Sequence, residues 1–170
     1  MAQRVDSLDI GTLGLSSGEA QSLDVEVPVE ELSFGGQTYG AGGYADARLD
    51  VSHTTTGHAL RLRFDVTLHG PCTRCLEDAN ALVEVDAREI DQPGGDDELR
   101  SPYVEENVVD LRSWARDALA LALPTRILCT EGCRGLCPIC GANINEDPEH
   151  GHEPEPDPRW AKLSELKFDQ

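Results

Sequence analysis

Apolar and polar residues alternate strictly from Leu60 to Leu68. Leu60, Leu62, Phe64, Val66 and Leu68 fall on one side, Arg61, Arg63, Asp65 and Thr67 on the other. A period of two held this long predicts a strand buried on one face. The segment before it, ADARLDVSH, repeats the pattern with Ala45, Ala47, Leu49 and Val51. Only TTTG separates His53 from His58, and so short a connection ending in Gly predicts a hairpin. A later strand is expected at ALVEVDAREI, after GPCTRCLEDAN. An earlier one is expected at LDVEVPVEEL, where Pro28, lacking an N–H, confines it to an edge or a bulge.

The pattern breaks at DQPGGDDELRSP, which reads as a mobile acidic loop, and resumes at helical spacing. In VVDLRSWARDALALALP, residues Leu111, Trp114, Ala115, Ala118, Leu121 and Ala122 form an apolar stripe, with Asp110 as N-cap and Pro124 as the stop. Such a helix is expected to cover the open face of the sheet. The predicted class is α+β: an antiparallel β-rich domain, sheet or open barrel, packed by one or two helices. A small C-terminal Cys-rich segment follows. The predicted domains are residues 1–125, the β-rich part with its helix, and 126–170, a Cys-rich segment ending in a short helix at DPRWAKLSELKF.

Composition narrows the function classes. The chain has 170 residues, with 14 Lys and Arg against 32 Asp and Glu, for a formal charge of −18. So acidic a surface repels phosphate backbones and suits a basic protein partner. The N-terminus has no apolar stretch suited to a signal peptide, and ALALALP is far too short to span a bilayer. A cytoplasmic location is therefore expected, with no membrane partner. Thiols stay reduced there, so six cysteines point to metal or redox chemistry.

Four of them, Cys129, Cys133, Cys137 and Cys140, crowd into CTEGCRGLCPIC. Zinc takes four ligands tetrahedrally, and CPIC followed by Gly141 has the form of a zinc knuckle. Cys129 and Cys133 are the expected second pair, with His150 and His152 of HGH as substitute ligands. Spacing alone leaves the choice of four among these six open. Interleaved with Gly and Pro, the segment would make a poor core of inert thiols. CTRC, with Cys72 and Cys75, lies between two predicted strands, away from the helix N-terminus that activates a redox thiol. It is half a zinc site, a possible second pair whose completion would need Cys129 and Cys133 to fold back. His53 and His58 are expected as a solvent-facing cross-strand pair. No G-x-S-x-G, P-loop or H-E-x-x-H motif is present, so no catalytic residues are expected.

CTRCLE before a strand, LALPTRILC closing a helix, CRGLCPICGANIN and DPRWAKLSEL resemble, in this order, the YceD family. That family is called the large ribosomal RNA subunit accumulation protein, also domain of unknown function 177. The likeness covers roughly residues 20 to 168, the N-terminal third only as a strand pattern. HGH stands where many members carry a further C-x-C pair, which resembles the actinobacterial branch. Because His exchanges for Cys in zinc sites, this favours a histidine ligand. The resemblance implies a non-enzymatic role in accumulation of large-subunit ribosomal RNA. Combined with the charge, it suggests an acidic adaptor for a basic partner such as a ribosomal protein or an rRNA-processing factor, and the charge argues against direct RNA contact. Two other classes compete: a thiol–disulfide or redox-sensing protein using Cys72 and Cys75, and a zinc-ribbon nucleic-acid-binding module.

Overall fold

A computed structural model describes residues 3–152 of the chain. In chain order its elements are β1 (Gln3–Arg4), β2 (Ser7–Asp9), β3 (Ala20–Val29), β4 (Leu32–Phe34), β5 (Gln37–Tyr39), β6 (Gly43–His53), β7 (His58–Pro71), β8 (Asp78–Asp91), β9 (Val104–Glu105), β10 (Val108–Asp110) and α1 (Leu111–Ala122). Two compact units result, Met1–Cys133 and Arg134–Gln170. The division falls after Cys133 rather than near residue 125. Ile127 is buried in the first unit, and Thr73 N–H donates to its carbonyl at 2.8 Å. The short helix expected at DPRWAKLSELKF lies outside the described residues.

The first unit is built on a five-stranded sheet in the order β1-β3-β6-β7-β8, antiparallel except for the β1–β3 pair. The alternation seen in sequence is the burial pattern: Leu49, Val51, Leu60, Leu62, Phe64, Val66 and Leu68 are all inside. Register follows from it, because slipping any strand by one residue would turn its apolar set to water. β3 runs straight through Pro28. β1 pairs only with Val25 and Glu26, so Pro28 has a neighbour on one side alone and sacrifices no ladder bond on the other.

α1 packs against β3 and β8, the strands flanking β6 and β7, so the sheet curves around it. Leu111, Trp114, Ala115, Ala118 and Leu119 enter the core. Leu121, expected on that stripe, is 89 % exposed, and Leu119 takes its place. At 100° per residue the two leucines lie on opposite margins of the stripe, about 80° either side of Leu111, and packing against the sheet buries the Leu119 margin alone. Asp110 caps the helix as expected, accepting from Ser113 N–H at 3.0 Å.

A second, three-stranded sheet in the order β2-β10-β9 had no signature in the sequence. It draws in the N-terminal segment, where Ile10 is buried and Arg112 donates to both Asp6 and Glu30. The loop after β8 is closed at its base: Gln92 N–H donates to the Leu99 carbonyl, and buried Asp91 accepts from Ser101 N–H. His53 and His58 do face each other across β6 and β7, with ring centroids 4.9 Å apart. Both are half-buried, and His53 Nδ1 lies 2.8 Å from the Leu15 carbonyl.

Candidate metal centres

The six cysteines are brought together in a way their spacing does not suggest. Cys129 and Cys133 group with Cys72 and Cys75, while Cys137 and Cys140 group with His150 and His152. Within each group every ligand atom lies within 4.8 Å of every other. Both groups could hold a metal ion, and no disulfide links the six cysteines.

The four-thiol group belongs to the first unit. β7 ends at Pro71 and β8 begins at Asp78, so Cys72 and Cys75 sit on the turn between them. The turn is tied by Leu76 N–H to the Cys72 carbonyl, with Leu76 at positive φ. The chain leaving α1 returns to this turn. Thr73 donates from both its N–H and its hydroxyl to the Ile127 carbonyl, and the Arg74 guanidinium donates to the Cys133 carbonyl at 2.6 Å. Cys72 Sγ then lies 3.7 Å from Cys133 Sγ, and Cys75 Sγ lies 3.5 Å from Cys129 Sγ. Cys72, Cys75 and Cys133 are buried, and Cys129 is half-buried.

Burial works against a thiolate at Cys72, but backbone N–H groups of Cys75, Arg74 and Cys129 outweigh it and bring the thiol down to about 6. Burial and the neighbouring thiols push Cys75 up, to about 12. Four sulfurs so close favour one negative charge among themselves, and a bound cation removes that restriction. Arg74 acts through its backbone N–H, 3.4 Å from Cys72 Sγ, while its guanidinium holds the neighbouring chain.

The second group belongs to the second unit. CPICG forms a tight turn in which Gly141 N–H donates to the Cys137 carbonyl and Cys137 N–H to the Ala142 carbonyl, both at 2.8 Å. Gly141 has φ of 76°, a conformation few other residues tolerate. Backbone N–H groups of Cys140 and Ile139 face Cys137 Sγ and lower its thiol to about 6. Leu136 and Asn143 form a β-bridge at the base, and Ile144 N–H donates to the Gly135 carbonyl. His150 Nε2 lies 3.3 Å from Cys140 Sγ and 3.0 Å from His152 Nε2. Asp147, which the sequence reading passed over, has Oδ2 4.0 Å from His150 Nδ1, where a carboxylate commonly orients a ligating imidazole. Among the described residues of this unit, only Gly135 and Cys137 are buried. Those described residues form no apolar core.

The model of the family "Large ribosomal RNA subunit accumulation protein YceD" matches residues 60–167. An uncharacterized protein of Mycobacterium bovis and one of Mycobacterium tuberculosis are each 33% identical over 133 residues, 74% of this chain and 63% of the relative. An uncharacterized protein of Mycobacterium leprae is 30% identical over 101 residues, 56% of this chain and 46% of the relative. The chain thus spans less than two thirds of the length of these relatives. No solved structure matches. Among the described residues no helix is long and apolar enough to cross a membrane. The matched region takes in all six cysteines and both histidine ligand candidates, and the chain belongs to the YceD family.

Proposed function

We propose that this protein is a non-enzymatic ribosome-biogenesis factor that supports accumulation of large-subunit ribosomal RNA in the cytoplasm. It acts as an acidic, zinc-containing adaptor for a basic protein, such as a ribosomal protein or an rRNA-processing factor. The family match over residues 60–167 carries this reading. The charge of −18 supports the protein-binding part, since it attracts basic partners and repels bare RNA.

Zinc is the metal that the donor sets favour. With Zn–S bonds of about 2.3 Å, the sulfurs of a tetrahedral site stand about 3.8 Å apart. Two sulfur pairs of the four-thiol group, at 3.5 and 3.7 Å, match that edge, far from the ~2.05 Å of a disulfide. Cys137, Cys140, His150 and His152 supply the mixed sulfur and nitrogen set of many structural zinc sites. The lowered Cys72 thiol would also suit redox chemistry, but CTRC lies in the turn between β7 and β8 with its sulfurs facing two further thiols, a set that favours metal over a CxxC disulfide.

The test is depletion of the protein in its native cell, followed by quantification of large- and small-subunit ribosomal RNA. Selective loss of the large-subunit species is expected. Equal levels of both, or their equal decline, would refute the role. Purified protein should carry two zinc ions per chain.

A further inference from the structure

β8 ends the five-stranded sheet, and its outer edge is a row of backbone N–H and C=O groups. Among the described residues, the backbone of 79–90 finds partners only on β7. Proteins usually shorten such edges, break them with proline, or cover them, because an open edge recruits another strand. β8 is 14 residues long and contains no proline.

Large apolar side chains stand exposed along it: Leu82 and Ile90 on β8 itself, and Leu121 on the last turn of α1. Between Leu121 and the strand lies a recess of about 390 Å³. Its walls are Glu84, Val85, Asp86 and Ala87 of β8, with Ala118, Leu121 and Ala122 of α1. The three alanines leave width for side chains of an added strand.

Charge selects the occupant. β8 carries Asp78, Glu84, Asp86, Glu89 and Asp91 against Arg88 alone; Asp91 is buried and Asp86 is paired with Arg61, so Asp78, Glu84 and Glu89 supply the charge that an added strand would meet. Two copies paired edge to edge would bring these acids together, and like charges across a strand pair are destabilising. A basic strand meets the opposite situation. We propose that the β8 edge and the α1 recess bind an extended basic segment of a partner protein, which joins the sheet by backbone pairing and seats an apolar side chain beside Leu121. This rests on the adaptor reading and says where and how the partner is held.

The probe is a short peptide alternating lysine and valine, titrated by fluorescence anisotropy into the full zinc-loaded chain. A control of equal charge has proline in place of every second valine, which removes pairing N–H groups. Glu84→Lys and Leu121→Lys are at exposed positions and leave the core intact. The alternating peptide should bind and slow amide exchange along β8. The proline control and each variant should bind about tenfold more weakly. Equal affinity for the proline peptide would overturn strand pairing in favour of charge alone. Affinity unchanged by Leu121→Lys, or slowed exchange confined to other strands, would remove the site. A peptide-insensitive dimer in sedimentation would give the edge to a second copy and overturn the proposal. Ribosomal RNA levels on depletion are read independently in cells, so the two readings fail separately.

Discussion

At Gly57, the last residue before β7, a Cβ would run into the Asp91 carbonyl. The hairpin turn and the end of β8 thus approach more closely than any side chain allows. Gly57→Ala should destabilise the first unit by about 1–3 kcal/mol, as overpacking does elsewhere, visible as a lower denaturation midpoint. Beside it, burial and neighbouring His53 hold the His58 imidazole below its ordinary value, with Asp91 opposing them in part. A base whose folded pKa is depressed binds more protons when unfolded, so its contribution is full above the unfolded pKa of about 6.5 and is lost as pH falls below it. Melting temperature should therefore fall less steeply from pH 7.5 to 5.5 in His58→Gln than in the parent. Parallel slopes would show that His58 titrates normally. The sequence placed these two histidines opposite each other through the hairpin. Their burial was not legible there, because it depends on Leu15 and Asp91, which the fold brings in from distant positions.

The long strands and the helix were readable because each answers to one periodicity. β6, β7 and β8 bury every second residue, and α1 starts at a residue able to cap it. Asp110→Ala should cost about 1 kcal/mol in chemical denaturation. Trp114→Ala should cost about 3–5 kcal/mol, because its ring is buried where α1 meets the sheet. The two- and three-residue strands β1, β2, β4, β5, β9 and β10 were not readable. Pairs so short have no period, and they form only because larger elements present an edge to them. The described residues of the second unit have no such period, and under the zinc reading proposed above the metal would organise them instead. Cys137→Ser should remove one of two zinc ions and raise amide exchange across 134–152, while β6, β7 and β8 keep their protection. Retention of both ions, or collapse of the β-sheet with the tail, would show that the ligand group is drawn wrongly.

For the whole molecule, −18 charges make long-range attraction the first step toward any basic partner. Association should weaken steeply as salt shortens the screening length from about 10 Å at 0.1 M to about 3 Å at 1 M. Salt-independent binding to bare ribosomal RNA would contradict that picture. The candidate ligands were all visible in sequence, and the return of Cys129 and Cys133 to CTRC was one of the arrangements left open, but nothing in the sequence selected it. Spacing links Cys129 and Cys133 to the nearby CPIC, whereas the fold sends them to a turn 54 residues back in the chain. Only tertiary structure carries that information.

A metal held between Cys75 and Cys129 would make a ring of the intervening chain, enclosing β8, β9, β10 and α1. Cross-linking a loop of this length lowers the entropy of the unfolded chain by about 4 kcal/mol at room temperature in the chain-entropy model. A single proteolytic cut in the loop after β8 would turn the protein into two polypeptides, yet the metal would still join them. Melting of the nicked protein should then be independent of its concentration. Once a chelator has removed the metal, the two pieces must find each other by diffusion, and the midpoint should rise with concentration as it does for a heterodimer.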